Sequence, residues 1–245
     1  MPTIDKRIAI GTDDVEQRSS GTMSMDSSDL ELTTDGSNVQ TVGLRFVGID
    51  IPAGAVILSA YIQFQTDEVT IGAASLTISG EDVGDANPFT TTAFDLSSRV
   101  RTDALVGWTP DPWSVIGEAG LGQRTPDITT ILQEIVQRSD WAALNDIVLF
   151  ITGSGTRTAE AYESGAATAP LLHIEYSLSA PVVGNVSIND VSIAEGNSGT
   201  VVATFTVSRT GTAPFSIDYV TANGSATAGF DYAAIPLTTL TFAAG

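Results

Sequence analysis

Residues 55–65 read AVILSAYIQFQ, and their alternation decides the fold class. Val56, Leu58, Ala60, Ile62 and Phe64 fall on one side of an extended chain, while Ser59, Tyr61, Gln63 and Gln65 fall on the other, the period of a half-buried strand. The preceding run VGLRF, residues 42–46, repeats the pattern with Val42, Leu44 and Phe46. DIPAG, residues 50–54, separates the two and supplies the Pro and Gly of a turn. SLTISGE (75–81), IVLFITG (147–153) and LLHIEYSL (171–178) add further strands. The second is apolar on both faces and is expected at a sheet centre, and the third should turn Leu172, Ile174 and Tyr176 inward.

One segment departs from this period. In TPDITTILQEIVQRSDW (125–141), Ile128, Ile131, Leu132, Ile135 and Val136 recur at helical spacing, with Thr125 placed to cap and Pro126 at the first helical position. Many short strands and one amphipathic helix predict an all-β, jelly-roll-like β-sandwich. The acids are unevenly spread: 25 acids and 9 bases lie in residues 1–180, against 4 acids and 1 base in residues 181–245. Pro181 and Gly184 punctuate the junction, so the expected organisation is a sandwich over 1–178, a linker over 179–185 and a second, partial sandwich over 186–245.

A formal charge of −19 and a single lysine, Lys6, exclude nucleic acid and anionic membrane surfaces as partners. No stretch has the roughly 20 apolar residues of a membrane span, so membrane insertion is not expected. The first residues lack the apolar core of a signal peptide. Cysteine is absent, which removes disulfides, thiolate metal sites and a Cys nucleophile. His173 is the lone histidine and alternates outward between Leu172 and Ile174, with no nucleophile motif around it. The expectation is a protein that is not an enzyme, with a carboxylate pair acting on glycans as the only catalytic alternative.

Two kinds of site are open. Carboxylates gather near predicted strand ends: Asp13, Asp14 and Glu16, then Asp29 with Glu31, Asp67 with Glu68, and Glu160 with Glu163. Calcium takes about six to eight oxygen ligands, so Asp13, Asp14, Glu16 and Glu160 are the candidate metal ligands, the alternative being a solvated acidic face. Alternation puts Asp13 and Asp14 on opposite faces unless the strand bulges. VGWTPDPWSVIG (106–117) sets Trp108 and Trp113 in a Pro-rich loop, either as a stacking platform for polysaccharide, with Asp111 accepting from hydroxyls, or as a plug over the sandwich end. Tyr162 is a further ligand-binding candidate, and Tyr61 a secondary one. Arg45, Arg99, Arg101 and Arg157 are expected to pair with the excess acid.

GTDDVEQ, SSDLELTTDG, the long run from Gln40 to Glu68 and GTRTAEAYESGAATAPLLHIEY, in that order, resemble the DNRLRE-type, carbohydrate-binding-module-like jelly-roll domains of secreted bacterial proteins. The resemblance covers about residues 3–178 and implies a binding or structural role in an extracellular or cell-surface protein. SINDVSIAEGNSGTVVATFTVSRTG, DYVTANGSATAGFDYAA and LTFAAG are similar to the Calx-beta repeat, an immunoglobulin-like, calcium-associated sandwich. That resemblance implies calcium contacts from Glu195 and Asp231, with turn-capping as their alternative role. It also implies strands beyond those that can be counted, about five, near 186–194, 200–208, 216–222, 230–234 and 237–243. The expected function is therefore a non-catalytic module of a secreted bacterial multidomain protein that binds polysaccharide, calcium or both. The alternative is an adhesin or filament subunit that self-associates as a neighbouring chain's strands complete the second sandwich.

Overall fold

Alternating runs find one another as antiparallel ladders. The computed structural model describes residues 1–178, 184–194, 198–211 and 213–243, and it divides into two units, Met1–Ser179 and Ala180–Gly245.

The first unit contains β1 (Thr3–Arg7), β2 (Asp14–Arg18), β3 (Met23–Ser24), β4 (Asp29–Glu31), β5 (Thr34–Asp35), β6 (Asn38–Ile49), β7 (Val56–Gln63) and β8 (Ser75–Gly80). It continues with α1 (Asp95–Ser98), β9 (Val106–Trp108), α2 (Thr129–Val136), β10 (Asn145–Ser154), β11 (Thr158–Glu160) and β12 (Leu171–Ser177). The larger sheet has the order β3-β2-β6-β10-β8-β9, with β5 also paired to β6, and the smaller has the order β1-β12-β7. Val42, Leu44, Phe46, Ile78, Leu149 and Ile151 of the larger sheet share one apolar core with Ala60, Ile62, Leu172 and Ile174 of the smaller. The result is an all-β sandwich.

Several expectations are refined by the packing. β10 is central, as its two-faced apolar sequence requires, but its neighbour β6 is also buried on both faces rather than half-buried. The reason is an arm over residues 82–101 that carries Ala86, Phe89 and Leu96 onto Val15, Val148 and Phe150, making a second, smaller core outside the sheet. Gly43 permits this, because a Cβ there would stand 2.8 Å from Leu96 and 2.9 Å from Phe89. Along β7 the inward set is Ile57, Ala60, Ile62 and Phe64, not Val56 and Leu58. Ser59 pairs with Glu175 and Ile57 with Tyr176, so Leu58 is the extra residue of a β-bulge that reverses the alternation.

The helix exists, but it starts at Thr129, not at Pro126. Residues 123–128 instead cover the edge of β7, with Thr125 N bonded to Ile62 O at 3.0 Å and Thr125 Oγ1 accepting from Ile62 N at 2.9 Å. Asp127 Oδ1 accepts from Ala60 N at 3.2 Å and from Thr129 N at 3.0 Å, so it serves both edge and helix start. Gln133 finishes the edge from within α2, accepting from Ile57 N and donating to Ala55 O. The second helix, α1, is a single turn in the covering arm.

The second unit contains β13 (Val186–Ile188), β14 (Val207–Arg209), β15 (Phe215–Tyr219) and β16 (Thr238–Phe242), paired as β13-β14 and β15-β16. Four strands among the described residues replace the five expected. Residues 230–231 lie in a turn, Tyr232 makes only an isolated bridge to Ala228, and the paired parts of the first two segments are short. Just past the first ladder Asn189 N bonds Thr206 O at 3.2 Å, and the Asn189 side-chain oxygen accepts from Thr206 N at 2.6 Å. Phe215 stacks on Phe242 at 4.9 Å, and Arg209 donates to Ala243 O at 2.9 Å.

Candidate functional site

β2 places Asp14 and Glu16 two residues apart, on one face of the strand, and both are almost wholly buried. Glu16 accepts a backbone amide from a small ribbon that lies against the larger sheet, Glu31 N reaching its Oε1 at 2.8 Å, and Asp14 accepts one from the turn that follows the ribbon, Tyr162 N reaching its Oδ2 at 2.8 Å. The ribbon is the pair β4-β11, extended on the far side of β11 by the Thr66–Ala159 bridge and the bond from Asp67 N to Thr158 O. Period two sorts its side chains. Leu30 and Ala159 turn into the core, which leaves Asp29, Glu31, Glu160 and Asp67 together on the opposite face.

The electrostatics of this acidic seam are one-sided. Asp29 stands directly opposite Glu160, a like-charge cross-strand pair. The Glu31 carboxyl lies close enough to Glu16, and the Glu160 carboxyl to Asp67, for each to disfavour ionisation of its neighbour. Gln40 Nε2, from β6, donates to Glu16 Oε1 at 2.6 Å and lies 3.3 Å from Glu31 Oε2. Burial first, then the Glu31 carboxyl, pushes Glu16 up to about 9 despite the amide from Glu31. Burial likewise drives Asp14 up to about 7, and the charge of Glu163 adds to it. Among the described residues no ion pair engages Asp14, Glu16, Asp29, Glu31, Asp67 or Glu160.

The four candidate ligands of this unit therefore do not converge on one point. Asp13 faces away from Asp14 and pairs with Arg45 at 2.9 Å, with Asp146 bound to the same guanidinium. Asp14 and Glu16 spend an oxygen each on backbone amides, and Glu160 sits across the ribbon beside Asp29 and Asp67. The oxygens of Asp29, Asp67 and Glu68 come within 4.8 Å of one another on a half-buried to exposed face. Gln40 is the participant that sequence reasoning missed. A neutral amide carries no charge pattern, and only the register of β2 on β6, with Glu16 opposite Val42, brings it within reach.

No protein-family model matches the chain. The curated proteins give no match either.

The proposed sugar platform is part of the core. Trp113 is 0% exposed and its Nε1 donates to Gly122 O at 3.0 Å, while Trp108 packs 5.9 Å from Phe64 in a nearly parallel stack. Of the two roles open to these rings, the plug is the one they adopt. Arg157 holds the loop from inside, donating to Asp111 O, Pro110 O and Gly72 O at 2.8–2.9 Å, so Asp111 contributes its backbone carbonyl there. Tyr162 is half-buried against the core. Tyr61 stacks on His173 at 4.6 Å, with the Arg124 guanidinium over its ring. Of the arginines expected to answer acids, Arg45 and Arg99 do, whereas Arg101 lies over the Phe150 ring and Arg157 binds backbone carbonyls. In the second unit Asp231 accepts from Thr227 N at 2.7 Å, a turn cap, and Glu195 lies outside the described residues.

Proposed function

We propose that the chain is a non-catalytic structural module of a secreted bacterial surface or matrix protein, and that its second unit joins it to a neighbouring chain. The first unit supplies the scaffold, in which Trp108, Trp113, Arg45, Arg99 and Arg157 are engaged in internal contacts. The observation that carries the reading is the apolar surface of the second unit: Phe230 is 92% exposed, Val202 83% and Leu237 71%. Ile188, Val201, Phe205 and Val220 are exposed as well, on or beside short strands with open edges. Side chains of this kind in a strand-rich segment favour association by strand addition, which covers apolar area and pairs free backbone groups together.

The test is the mass of the full chain by analytical ultracentrifugation over a range of concentrations. The expected result is concentration-dependent association that Val202→Ser with Phe230→Ser weakens. A single monomeric species at every concentration overturns the reading. Polysaccharide binding is the competing outcome, and glycan-dependent retention by a strictly monomeric chain would favour it.

A further inference from the structure

The end of the first unit that follows β7 carries an apolar surface that folding leaves uncovered. Val69, Ile71, Val115, Ile116 and Leu121 are between 54% and 78% exposed there. One pairing brings their two loops together. Thr70 and Trp113 exchange both backbone bonds at 2.9 Å, Gly117 N reaches Thr66 O at 2.8 Å, and Thr66 N reaches Glu118 O at 2.9 Å, so residues 66–70 run antiparallel to 113–118. The buried Trp113 anchors this pairing, and its Nε1 bond to Gly122 O ties in the turn that bears Leu121. Arg157 holds both arms through Gly72 O, Pro110 O and Asp111 O. The loops are thus fixed, and the exposure of their apolar side chains is not slack. Nor does it reflect a missing core, because the sandwich that carries them buries its own. Scattered exposed apolar residues are ordinary, whereas a group of them at one end of a well-packed domain marks a contact surface.

The charges around this surface define what it takes. Asp67 and Glu68 share one arm with Val69 and Ile71, and Asp111 and Glu118 share the other with Val115 and Ile116. Among the described residues none of these four carboxylates is in an ion pair. An apolar centre with a charged rim is the layout of a protein interface. A second copy, at net charge −19, brings the same sign of charge to that rim. We infer that the 67–72 and 113–121 loops form a docking site for a basic segment of another protein. The segment sets apolar side chains against Val69, Ile71, Val115, Ile116 and Leu121, and its Lys or Arg residues against Asp67, Glu68 and Glu118. Because the loops are fixed beforehand, binding has to order only the incoming segment.

Fluorescence anisotropy of a labelled peptide of alternating lysine and leucine, titrated with the full chain, tests this. Peptides of lysine with serine and of glutamate with leucine are the comparisons. The Lys–Leu peptide should bind, the Lys–Ser peptide at least about tenfold more weakly and the Glu–Leu peptide not at all. Val69→Ser with Ile116→Ser should lower the Lys–Leu affinity by about tenfold, and Glu68→Gln with Glu118→Gln should lower it and flatten its dependence on salt. All four side chains are exposed, so the urea midpoint should stay unchanged. A matched control lies at the other end of β7, about 25 Å away, where Asp50 and Leu144 are exposed and offer the same two chemistries. Asp50→Asn with Leu144→Ser should leave binding as it is. Absence of Lys–Leu binding, equal affinity for Lys–Leu and Lys–Ser, no loss in either loop variant, or an equal loss in the control overturns the docking site. So does a lower mass of the full chain in ultracentrifugation on Val69→Ser with Ile116→Ser, which would make the surface a contact between copies.

Discussion

Arg157 shows how far a charge can mislead when only its type is known. In a chain of net charge −19 an arginine is expected to find an acid, yet this one is 1% exposed and gives its donors to backbone carbonyls of Pro110, Asp111, Gly72 and Thr156. It thereby fixes the loop that carries Trp113 into the core. Replacing Arg157 by Ala strands several buried acceptors, at about 1–3 kcal/mol each, so a loss of at least about 3 kcal/mol is expected in denaturant unfolding, with a red shift of tryptophan emission. A loss below about 1 kcal/mol would contradict this role. The same limit governs the acids. That Asp29 and Glu31 share a face is legible from alternation, and so is the separation of Asp13 from Asp14. That Glu16 meets Glu31 is not legible, because it depends on how two strands fifteen residues apart are laid side by side.

At the scale of elements, a continuous apolar run identified the central β10, and alternation identified the strands wherever it ran unbroken for several residues, as in β12. It failed at the bulge, where Leu58 inserts one residue and every earlier side chain of β7 changes face. It also failed for β6, whose outer face is covered by a Gly- and Pro-containing arm with little periodicity of its own. The helix start was misplaced for a physical reason: Thr125, Pro126 and Asp127 carry the residue types of a cap but serve a sheet edge. Asp127 is the hinge of that arrangement. Asp127→Ala removes acceptors from Thr129 N and Ala60 N and is expected to destabilise the first unit by about 1–2 kcal/mol in urea titration. An unchanged midpoint would show that the edge is held without it.

One unit has a deep core, whereas the described residues of the other include no buried apolar side chain. Both apolar clusters of buried residues lie within residues 8–176, so residues 1–178 produced alone should unfold cooperatively at the same midpoint as the first transition of the full chain. An unfolded or aggregated fragment would refute that independence. The architecture of this part was legible because its strands are long enough to show their period. The second unit was less so, because partner strands rather than propensity decide which of its extended segments become ladders. The placement of the aromatic residues has one more consequence. Trp108, Trp113 and Trp141 are all shut inside the sandwich, and residues 186–245 contain Tyr219 and Tyr232 but no tryptophan. Indole emission thus reports on the sandwich alone, whereas tyrosine is shared between the units, Tyr61, Tyr162 and Tyr176 lying in the first, so events in the sandwich can be watched without labelling either unit.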